Sequence, residues 1–276
     1  MSTFTTIGFI GSGNMSSALA HIIAEAVPRL PMVLSNRTHA KAQALAATLP
    51  KAEAVTNPQV ATNADLIFLG VKPQFMEDAL SSIREVLAAK RAAGQPFTLV
   101  TMAAGLTMDT IRSMVGGEGD PIIRIMPNTP ISVGAGVIQY CSKGVSPEAL
   151  AEFADLLKGA GTVDEIPENL IDAAAAVSGC GPAFMYMFIE ALADGAVACG
   201  LPRAKALAYA AQMAEGAGRL AKLSDKHPGT LKDEVTSPGG TTIQGVRILE
   251  ERGMRGAAMD AVIAAYDKTM ELKNRS

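Results

Sequence analysis

The stretch TIGFIGSGNMSS, residues 6–17, decides the fold. A short apolar run is followed at once by Gly-x-Gly and by a helical pattern that begins at Asn14. Such a strand–turn–helix needs Gly11 for the tight bend and Gly13, which has no Cβ, for close approach of a ligand. Free N–H groups and the positive end of the helix dipole then favour a pyrophosphate. The stretch predicts a dinucleotide site, with a purely structural turn as the alternative.

Short apolar runs alternate with amphipathic stretches from this point to residue 166. The alternation predicts a parallel sheet with helices on both faces, and the lack of in/out alternation within the runs agrees with strands buried on both sides. The predicted strands are 6–10, 32–34, 66–71, 97–102, 122–126, 133–139 and 162–166. The predicted helices are 14–26, 39–49, 73–89, 108–115 and 147–158.

The pattern changes at Glu168. Strand-like runs disappear, and Ala-, Leu- and Met-rich stretches separated by Gly and Pro predict about five helices. The predicted fold is therefore an α/β Rossmann-type N-terminal domain, residues 1–166, followed by an all-α C-terminal domain, residues 167–276. The apolar stretch Ala173–Ile189 is interrupted by Gly and Pro, so it is expected to be buried interior and not a membrane span, which needs about 20 apolar residues.

Composition excludes several classes of partner. A net charge of -3 and no long run of charge give no reason to expect nucleic acid or an anionic membrane. The N-terminus lacks a basic segment followed by a long apolar stretch, so no secretory signal is expected. Three scattered cysteines and three histidines without ligand spacing argue for a reducing, cytoplasmic location and against a bound metal.

The end of the second predicted strand indicates which dinucleotide is bound. NAD-specific sites usually place Asp or Glu there for the ribose 2′-hydroxyl. This chain has Ser35, Asn36 and Arg37 instead, and the Arg fork suits a phosphate. The residues predict NADPH as cofactor, with NADH as a weaker alternative and an exposed polar turn as the competing interpretation. The segments 70–73 and 102–105 follow two further predicted strands. Small residues there would leave room for the ribose and nicotinamide, and the equal alternative is that both segments are ordinary loops.

A second motif, DEVTSPGGTT at residues 233–242, lies in the helical half. Pro-Gly-Gly ends one helix, and another is predicted from Thr242. Exposed N–H groups and flanking hydroxyls would suit a small carboxylate. The equal alternative is a helix–turn–helix corner with Thr241 or Thr242 as a helix cap.

Taken together, these motifs resemble the pyrroline-5-carboxylate reductase family. The matching pieces are IGFIGSGNM, SNRT, VKPQ, MAAG, RIMPNTP, SGCGPAF, DGAVACGLPR and HPGTLKDEVTSPGGTT, which span nearly the whole chain. The last piece is the most specific. The resemblance implies reduction of L-1-pyrroline-5-carboxylate to L-proline by hydride transfer from NADPH to the C=N carbon. It also implies an intertwined homodimer built through the helical domain, or a higher oligomer of such dimers.

The resemblance also implies site residues. The cofactor contacts are Gly11, Ser12, Gly13, Asn14, Met15, Ser35, Asn36, Arg37, Asn57, Val71, Lys72, Pro73 and Ala104. The substrate contacts are Glu168, Ser237, Gly239, Gly240, Thr241 and Thr242, with Thr242 beside the ring nitrogen as the catalytic residue. The chain departs from the family pattern at Cys180, Phe184 and Glu234, the last of which adds a carboxylate next to the substrate motif.

Two other functions compete. One is an NADPH-linked reductase of a small hydroxy acid or ketone, which commonly uses a lysine of a helical domain; Lys205, Lys222 and Lys232 fit exposed helix faces better. The other is a non-catalytic NADP(H)-binding sensor, which would have no need of the substrate motif. Small residues at Ala191, Gly195 and Cys199, four apart, predict a ridge for close approach of a partner helix or of a helix from the same chain.

Overall fold

The computed structural model describes residues 3–273. These residues contain eight strands in one sheet and thirteen α-helices. The strands are β1 Ile7–Ile10, β2 Met32–Ser35, β3 Ala52–Ala54, β4 Leu66–Leu69, β5 Thr98–Thr101, β6 Ile122–Pro127, β7 Gly136–Lys143 and β8 Gly161–Glu165. The helices are α1 Asn14–Ala26, α2 His39–Ala46, α3 Asn57–Asn63, α4 Met76–Ser81, α5 Arg84–Ala92, α6 Met108–Val115, α7 Pro147–Leu157, α8 Glu168–Ser178, α9 Gly181–Ala198, α10 Arg203–Leu223, α11 Pro228–Glu234, α12 Thr241–Glu251 and α13 Met254–Lys273.

The sheet has the order β3-β2-β1-β4-β5-β6-β7-β8. Strands β1 to β6 are parallel, and every residue of β1, β2, β4 and β5 is buried, as predicted for strands covered on both faces. Ile10 is in register with Ser35 on one side and with Leu69 on the other. The loops that follow β1, β2 and β4 therefore leave the sheet side by side, where ligands of such sheets bind.

The predicted helix 73–89 is wrong as a single element. It consists of a 3-10 turn at Pro73–Phe75, then α4 and α5, with a break at Ser82–Ile83. The Ser82 hydroxyl donates to the Ala79 carbonyl at 2.6 Å, which competes with helical bonding. The buried Ile83 side chain anchors the break in the core.

Two elements were not predicted, and one strand has a different direction and position. Edge strand β3 has no apolar run and α3 is only seven residues long, so neither has a strong pattern. The strand predicted at 133–139 is β7, which pairs antiparallel with β6. Only a short 3-10 turn, Thr129–Val133, joins them, and a parallel crossover needs a much longer connection.

The chain divides into two compact units, one of residues 3–179 with 266–273 and one of residues 180–265. Helix α8 thus packs with the sheet unit. The region from residue 168 contains six described helices instead of about five. In the second unit α9 packs on α10, with Ala193, Ala206 and Ala210 buried between partly buried neighbours.

The helical segment Glu168–Ala198 is long and apolar enough, by length and composition alone, to cross a membrane. Few of its residues are buried in the chain, so the prediction that Ala173–Ile189 is protein interior is wrong for a single copy. Met185, Tyr186 and Met187 are all exposed. Exposed apolar surface of this kind marks a contact surface for another protein or for lipid.

Candidate active site

The turn between β1 and α1 has the backbone that a dinucleotide loop requires. Gly11 has φ of +100°, and a Cβ there would lie 2.7 Å from the Gly70 carbonyl oxygen. Gly13 is the N-cap of α1, has extended backbone and provides no side-chain cap, and a Cβ there would meet no atom within 4 Å. The first-turn N–H groups of α1 are thus left for an anion, with open space in front of them.

Ser16 stands where a G-x-G-x-x-G dinucleotide motif has its third glycine, a position that needs a small residue for close packing of helix on strand. Its side chain is buried, and a Cβ placed on Gly70 would lie 1.9 Å from its hydroxyl oxygen. Helix α1 and the end of β4 therefore approach so closely that both positions need small residues.

Hydrogen bonds join the end of β2 to the start of α3 and to the loop after β1. The buried Ser35 hydroxyl donates to Asn57 Oδ1 at 2.7 Å, and Asn36 Nδ2 donates to the Ser12 hydroxyl at 2.8 Å. The neighbouring Arg37 side chain lies over the ring of Phe75, 4.8 Å from its centroid. No carboxylate stands at the end of β2, so this edge offers donors to a ligand.

A cavity of about 740 Å³ lies at this edge of the sheet, within the size range of small-molecule and cofactor sites. Eight predicted cofactor residues line it, namely Gly11, Gly13, Ser35, Asn36, Arg37, Asn57, Val71 and Lys72. Five do not line it, namely Ser12, Asn14, Met15, Pro73 and Ala104. The open glycine turn, the uncapped helix and the basic edge fit a dinucleotide with an extra phosphate.

Gly70, from the stretch 70–73 that was expected to leave room for the ligand, also lines the cavity. Sequence reasoning missed the other lining residues, namely Ile10, His39, Val55, Thr56, Phe75, Asp78 and Ala79. Val55 and Thr56 follow β3, and recognising that edge strand would have placed them at the carboxyl end of the sheet. No sequence motif marks Phe75 and Asp78 as lining residues, because their positions at the cavity depend on how the chain leaves the 3-10 turn Pro73–Phe75.

The SPGG corner of the second unit, residues 237–240, starts a helix from a glycine with the same N-cap backbone conformation as the first turn. Gly240 is the N-cap of α12 with φ of −77° and ψ of 178°, close to the −80° and 176° of Gly13. Gly239 has φ of +69°, and the Gly240 N–H donates to the Ser237 carbonyl at 3.0 Å. No side chain caps α12. The alternative interpretation, in which Thr241 or Thr242 caps this helix, is therefore wrong.

The hydroxyl-bearing residues of this corner are accessible. Ser237, Thr241 and Thr242 are all exposed. Glu234, the carboxylate that departs from the family pattern, forms an ion pair with Lys226. The His227 side chain accepts the Gly229 N–H and so caps α11. Both neighbouring ionisable groups are therefore occupied by local contacts.

Glu168, the remaining predicted substrate residue, is engaged within the first unit. Its Oε1 accepts the Met108 N–H at 2.9 Å, at the start of α6, and lies 3.7 Å from Arg124 Nη1. Its Oε2 lies 3.7 Å from Lys143 Nζ. These contacts give Glu168 a helix-capping role in the described structure.

Residues 3–273 contain one buried cysteine, Cys141, next to Glu168. Burial raises the pKa of the Cys141 thiol to about 11, with Glu168 adding to the effect, so Cys141 is a neutral thiol near pH 7. No group of three His, Cys, Asp or Glu side chains in this range is arranged to hold a metal ion.

The glycine turn, the sheet order and the cavity define a Rossmann-type dinucleotide-binding oxidoreductase. Residues 6–92 match the family model "NADP oxidoreductase coenzyme F420-dependent", and residues 168–272 match "Pyrroline-5-carboxylate reductase dimerisation". A pyrroline-5-carboxylate reductase of Synechocystis is 40% identical over 96% of this chain and 97% of its own length, and one of Escherichia coli K12 is 39% identical over 96% and 97%. The chain belongs to the pyrroline-5-carboxylate reductase family.

Solved structures agree in fold. Pyrroline carboxylate reductase of Plasmodium falciparum, solved with NADP bound, has a TM-score of 0.83 and 32% identity, with 99% of both chains covered. The pyrroline-5-carboxylate reductase of Coxiella burnetii has a TM-score of 0.88 and 29% identity, with 98% of this chain and 99% of that chain covered. The similarity therefore extends over both the sheet unit and the helical unit.

Proposed function

We propose that this protein reduces L-1-pyrroline-5-carboxylate to L-proline with NADPH. The observation that supports this most strongly is the pair of glycine-capped helix starts, Gly13 and Gly240, each without a side-chain cap. One faces a cavity of cofactor size that is bordered by Arg37. The other offers N–H groups to a small carboxylate, which the substrate carries.

In this proposal the residues of the first unit bind the dinucleotide. The α1 N-terminus holds the pyrophosphate, and Asn36 and Arg37 receive the 2′-phosphate. Three predicted cofactor residues outside the cavity lining remain part of the proposal on structural grounds, because Ser12 positions Asn36 and because Asn14 and Met15 supply first-turn N–H groups. Pro73 and Ala104 remain in it through the family resemblance alone. When bound, NADPH supplies the hydride that converts the C=N carbon to CH–NH.

The corner at Ser237–Thr242 would bind and orient the substrate. The N–H groups of Thr241 and Thr242 suit the carboxylate, whereas the Gly240 N–H is bonded to the Ser237 carbonyl and closes the turn. The Thr242 hydroxyl is proposed to hold or transfer a proton at the ring nitrogen. Glu168 stays a proposed substrate residue through the family resemblance alone, since its described contacts are structural.

The decisive experiment is a steady-state assay of NADPH consumption with pyrroline-5-carboxylate. Turnover at ordinary enzymatic rates, about 1–10³ s⁻¹, supports the proposal and excludes a non-catalytic NADP(H) sensor. Turnover of 3-hydroxy acids, but not of L-proline analogues such as thiazolidine-4-carboxylate, would support the competing reductase. Lys205 and Lys222, two of the lysines which that reaction could use, are exposed on α10.

Cofactor choice gives the first mutational prediction. Arg37→Ala should raise KM for NADPH by roughly 10- to 150-fold, because one charge-assisted contact contributes about 1.5–3 kcal/mol. KM for NADH should stay nearly unchanged. Both values come from initial-rate kinetics at saturating substrate, with Lys41→Ala, an exposed charge of α2 outside the cavity lining, as control. Equal weakening of both cofactors would contradict a role in reading the 2′-phosphate.

We also propose a cytoplasmic homodimer, in which a second copy covers the apolar surface of the segment Glu168–Ala198. Support comes from the dimerisation model matched by 168–272, and from the small core of the second unit beside its many exposed apolar side chains. We retain residues 1–166 and 167–276 as the proposed domains. The turn at Gly179–Cys180 separates α8 from α9, which speaks against a continuous membrane span.

The ridge on α9 gives the second mutational prediction. Ala191, Gly195 and Cys199 are exposed in the chain, and a Cβ on Gly195 meets no atom within 4 Å. Gly195→Leu should therefore fold but weaken the dimer, because overpacking costs about 1–3 kcal/mol. Light scattering across protein concentrations measures this, and Gly195→Ala should retain the dimer. A fully active, unchanged dimer of the Leu variant would show that the ridge is not an interface.

A further inference from the structure

Arg37 and Phe75 form an isolated pair at the cofactor cavity. The guanidinium carbon lies 4.8 Å from the centre of the Phe75 ring, and both side chains line the cavity. Among residues 3–273, the Arg37 side chain has no hydrogen-bond or ion-pair partner. The stacking on Phe75 is therefore the contact that sets where the guanidinium lies.

The position of Phe75 itself is set by the backbone. The ring is carried at the end of the 3-10 turn Pro73–Phe75, where Pro73 fixes the first φ and the Phe75 N–H donates to the Lys72 carbonyl at 2.9 Å. Phe75 is also the N-cap residue of α4, and Met76, the first residue of that helix, is fully buried. A stiff aromatic side chain thus stands on an anchored turn.

Phe75 is also in an unusual place for an aromatic residue. It is 39% exposed and belongs to neither core cluster of the sheet unit, so core packing does not explain it. One face of its ring is covered by the Arg37 guanidinium, the cation that is predicted to bind the 2′-phosphate. Arg has many rotamers, and holding it in one place before binding lowers the entropy that binding must overcome.

We propose that Phe75 is a positioning residue for cofactor choice: its ring holds the Arg37 guanidinium at the cavity, so that the site favours dinucleotides carrying a 2′-phosphate. This inference rests on the proposed binding of NADP(H). The competing role for Phe75 is stacking on the adenine, which NAD and NADP share. The two roles differ in the ligand that they affect.

Calorimetric titration of the full-length protein with NADP⁺ and with NAD⁺, without substrate, separates the two roles. Phe75→Ala should raise Kd for NADP⁺ about 2- to 5-fold, the scale of a cation–π contact at an exposed site, and leave Kd for NAD⁺ nearly unchanged. Phe75→Tyr should restore tight NADP⁺ binding, whereas Phe75→Leu should resemble Ala. Gln74→Ala, an exposed neighbour on the same turn outside the cavity lining, is the matched control.

The double variant Phe75→Ala with Arg37→Ala completes the cycle. If Phe75 acts through Arg37, the double variant should bind NADP⁺ no more weakly than Arg37→Ala alone. Equal weakening of NAD⁺ and NADP⁺ by Phe75→Ala, or a full additional loss in the Arg37→Ala background, would overturn the inference. If Arg37→Ala itself leaves the preference for NADP⁺ intact, the proposed 2′-phosphate site fails instead, and that outcome is distinct from the first.

Discussion

Thr242→Ala is expected to lower kcat for pyrroline-5-carboxylate reduction by roughly 10- to 1,000-fold, the range for loss of one positioned hydrogen-bond or proton donor. Hydride addition to C=N requires a proton on, or a hydrogen bond to, the ring nitrogen. Initial rates at saturating NADPH and substrate measure the effect. The Kd for NADPH should barely change, because the residues that line the dinucleotide cavity all belong to the first unit.

Each of the three histidines is engaged in contacts other than the substrate site, so the Thr242 hydroxyl is the proposed donor. His21 Nδ1 lies 2.8 Å from the Ser17 carbonyl oxygen, and Nε2 lies 3.1 Å from the Thr48 hydroxyl. His39 lines the dinucleotide cavity, and His227 caps α11. A cyclic imine can also arrive already protonated, so an orienting hydroxyl suffices for the chemistry.

Two matched variants separate the hydroxyl from the shape of Thr242. Thr242→Ser keeps the hydroxyl and should keep most of the activity, whereas Thr242→Val keeps the branched shape and should resemble Ala. None should unfold the corner, because Gly240 is the N-cap and no threonine hydroxyl caps α12. Wild-type kcat and KM in Thr242→Ala would mean that the proton comes from water or from another group.

Asp172→Ala is expected to destabilise the fold by about 3–5 kcal/mol, the cost of leaving a buried charge without its partner. Arg124 is fully buried, and its Nη2 donates to Asp172 Oδ1 at 2.6 Å. The next carboxylate, Glu168, lies 3.7 Å from Nη1, and the Nε and Nη1 atoms of Arg124 have no hydrogen-bond acceptor in the described residues. Thermal or urea unfolding at one protein concentration, without cofactor, measures the loss.

The control variant changes Lys273, the more exposed of the two basic residues that pair with the Asp172 carboxylate. Lys273 Nζ lies 3.0 Å from Asp172 Oδ2, but the Lys273 side chain is 28% exposed, so Lys273→Ala should cost at most about 1 kcal/mol. Adding Arg124→Met to Asp172→Ala removes the stranded charge and should recover part of the stability. If Asp172→Ala costs no more than Lys273→Ala, the buried pair does not hold the unit together.

The same carboxylate makes stability depend on pH. Burial raises the pKa of Asp172, but the Lys273 hydrogen bond and the nearby Arg124 charge outweigh burial and hold that pKa below its ordinary value. A depressed folded-state pKa contributes stability that is complete above the unfolded value, about 3.9, and is lost as pH falls through the folded value. The stability difference between wild type and Asp172→Asn should therefore shrink below about pH 4.

Much of the first unit could be predicted from local patterns. Helices α1 and α6 lie where the apolar spacing placed them, at Asn14–Ala26 and Met108–Val115. The glycine turn was predicted correctly because its requirements are local: Gly11 needs a positive φ, and Gly13 needs open space where a Cβ would stand. Features that depend on one residue and its chain neighbours can be predicted from sequence.

Other features needed contacts between distant residues. Edge strand β3 exists because it pairs with β2, and β7 runs antiparallel because of its short connection to β6. The apolar stretch Ala173–Ile189 was expected in the interior, yet few residues of the helical segment that contains it are buried in one copy. Its composition could not distinguish a core from a surface that another molecule covers.

The sequence by itself determined the class of fold, the family and the two glycine-capped turns, because each depends on residue types at short, fixed spacing. Only the tertiary structure decided that Phe75 stacks on Arg37 and that Asp172 neutralises the buried Arg124. These pairs are 38 and 48 residues apart in sequence (75 − 37 and 172 − 124). Their contact depends on how the sheet aligns its loops and helices, and no local pattern encodes that alignment.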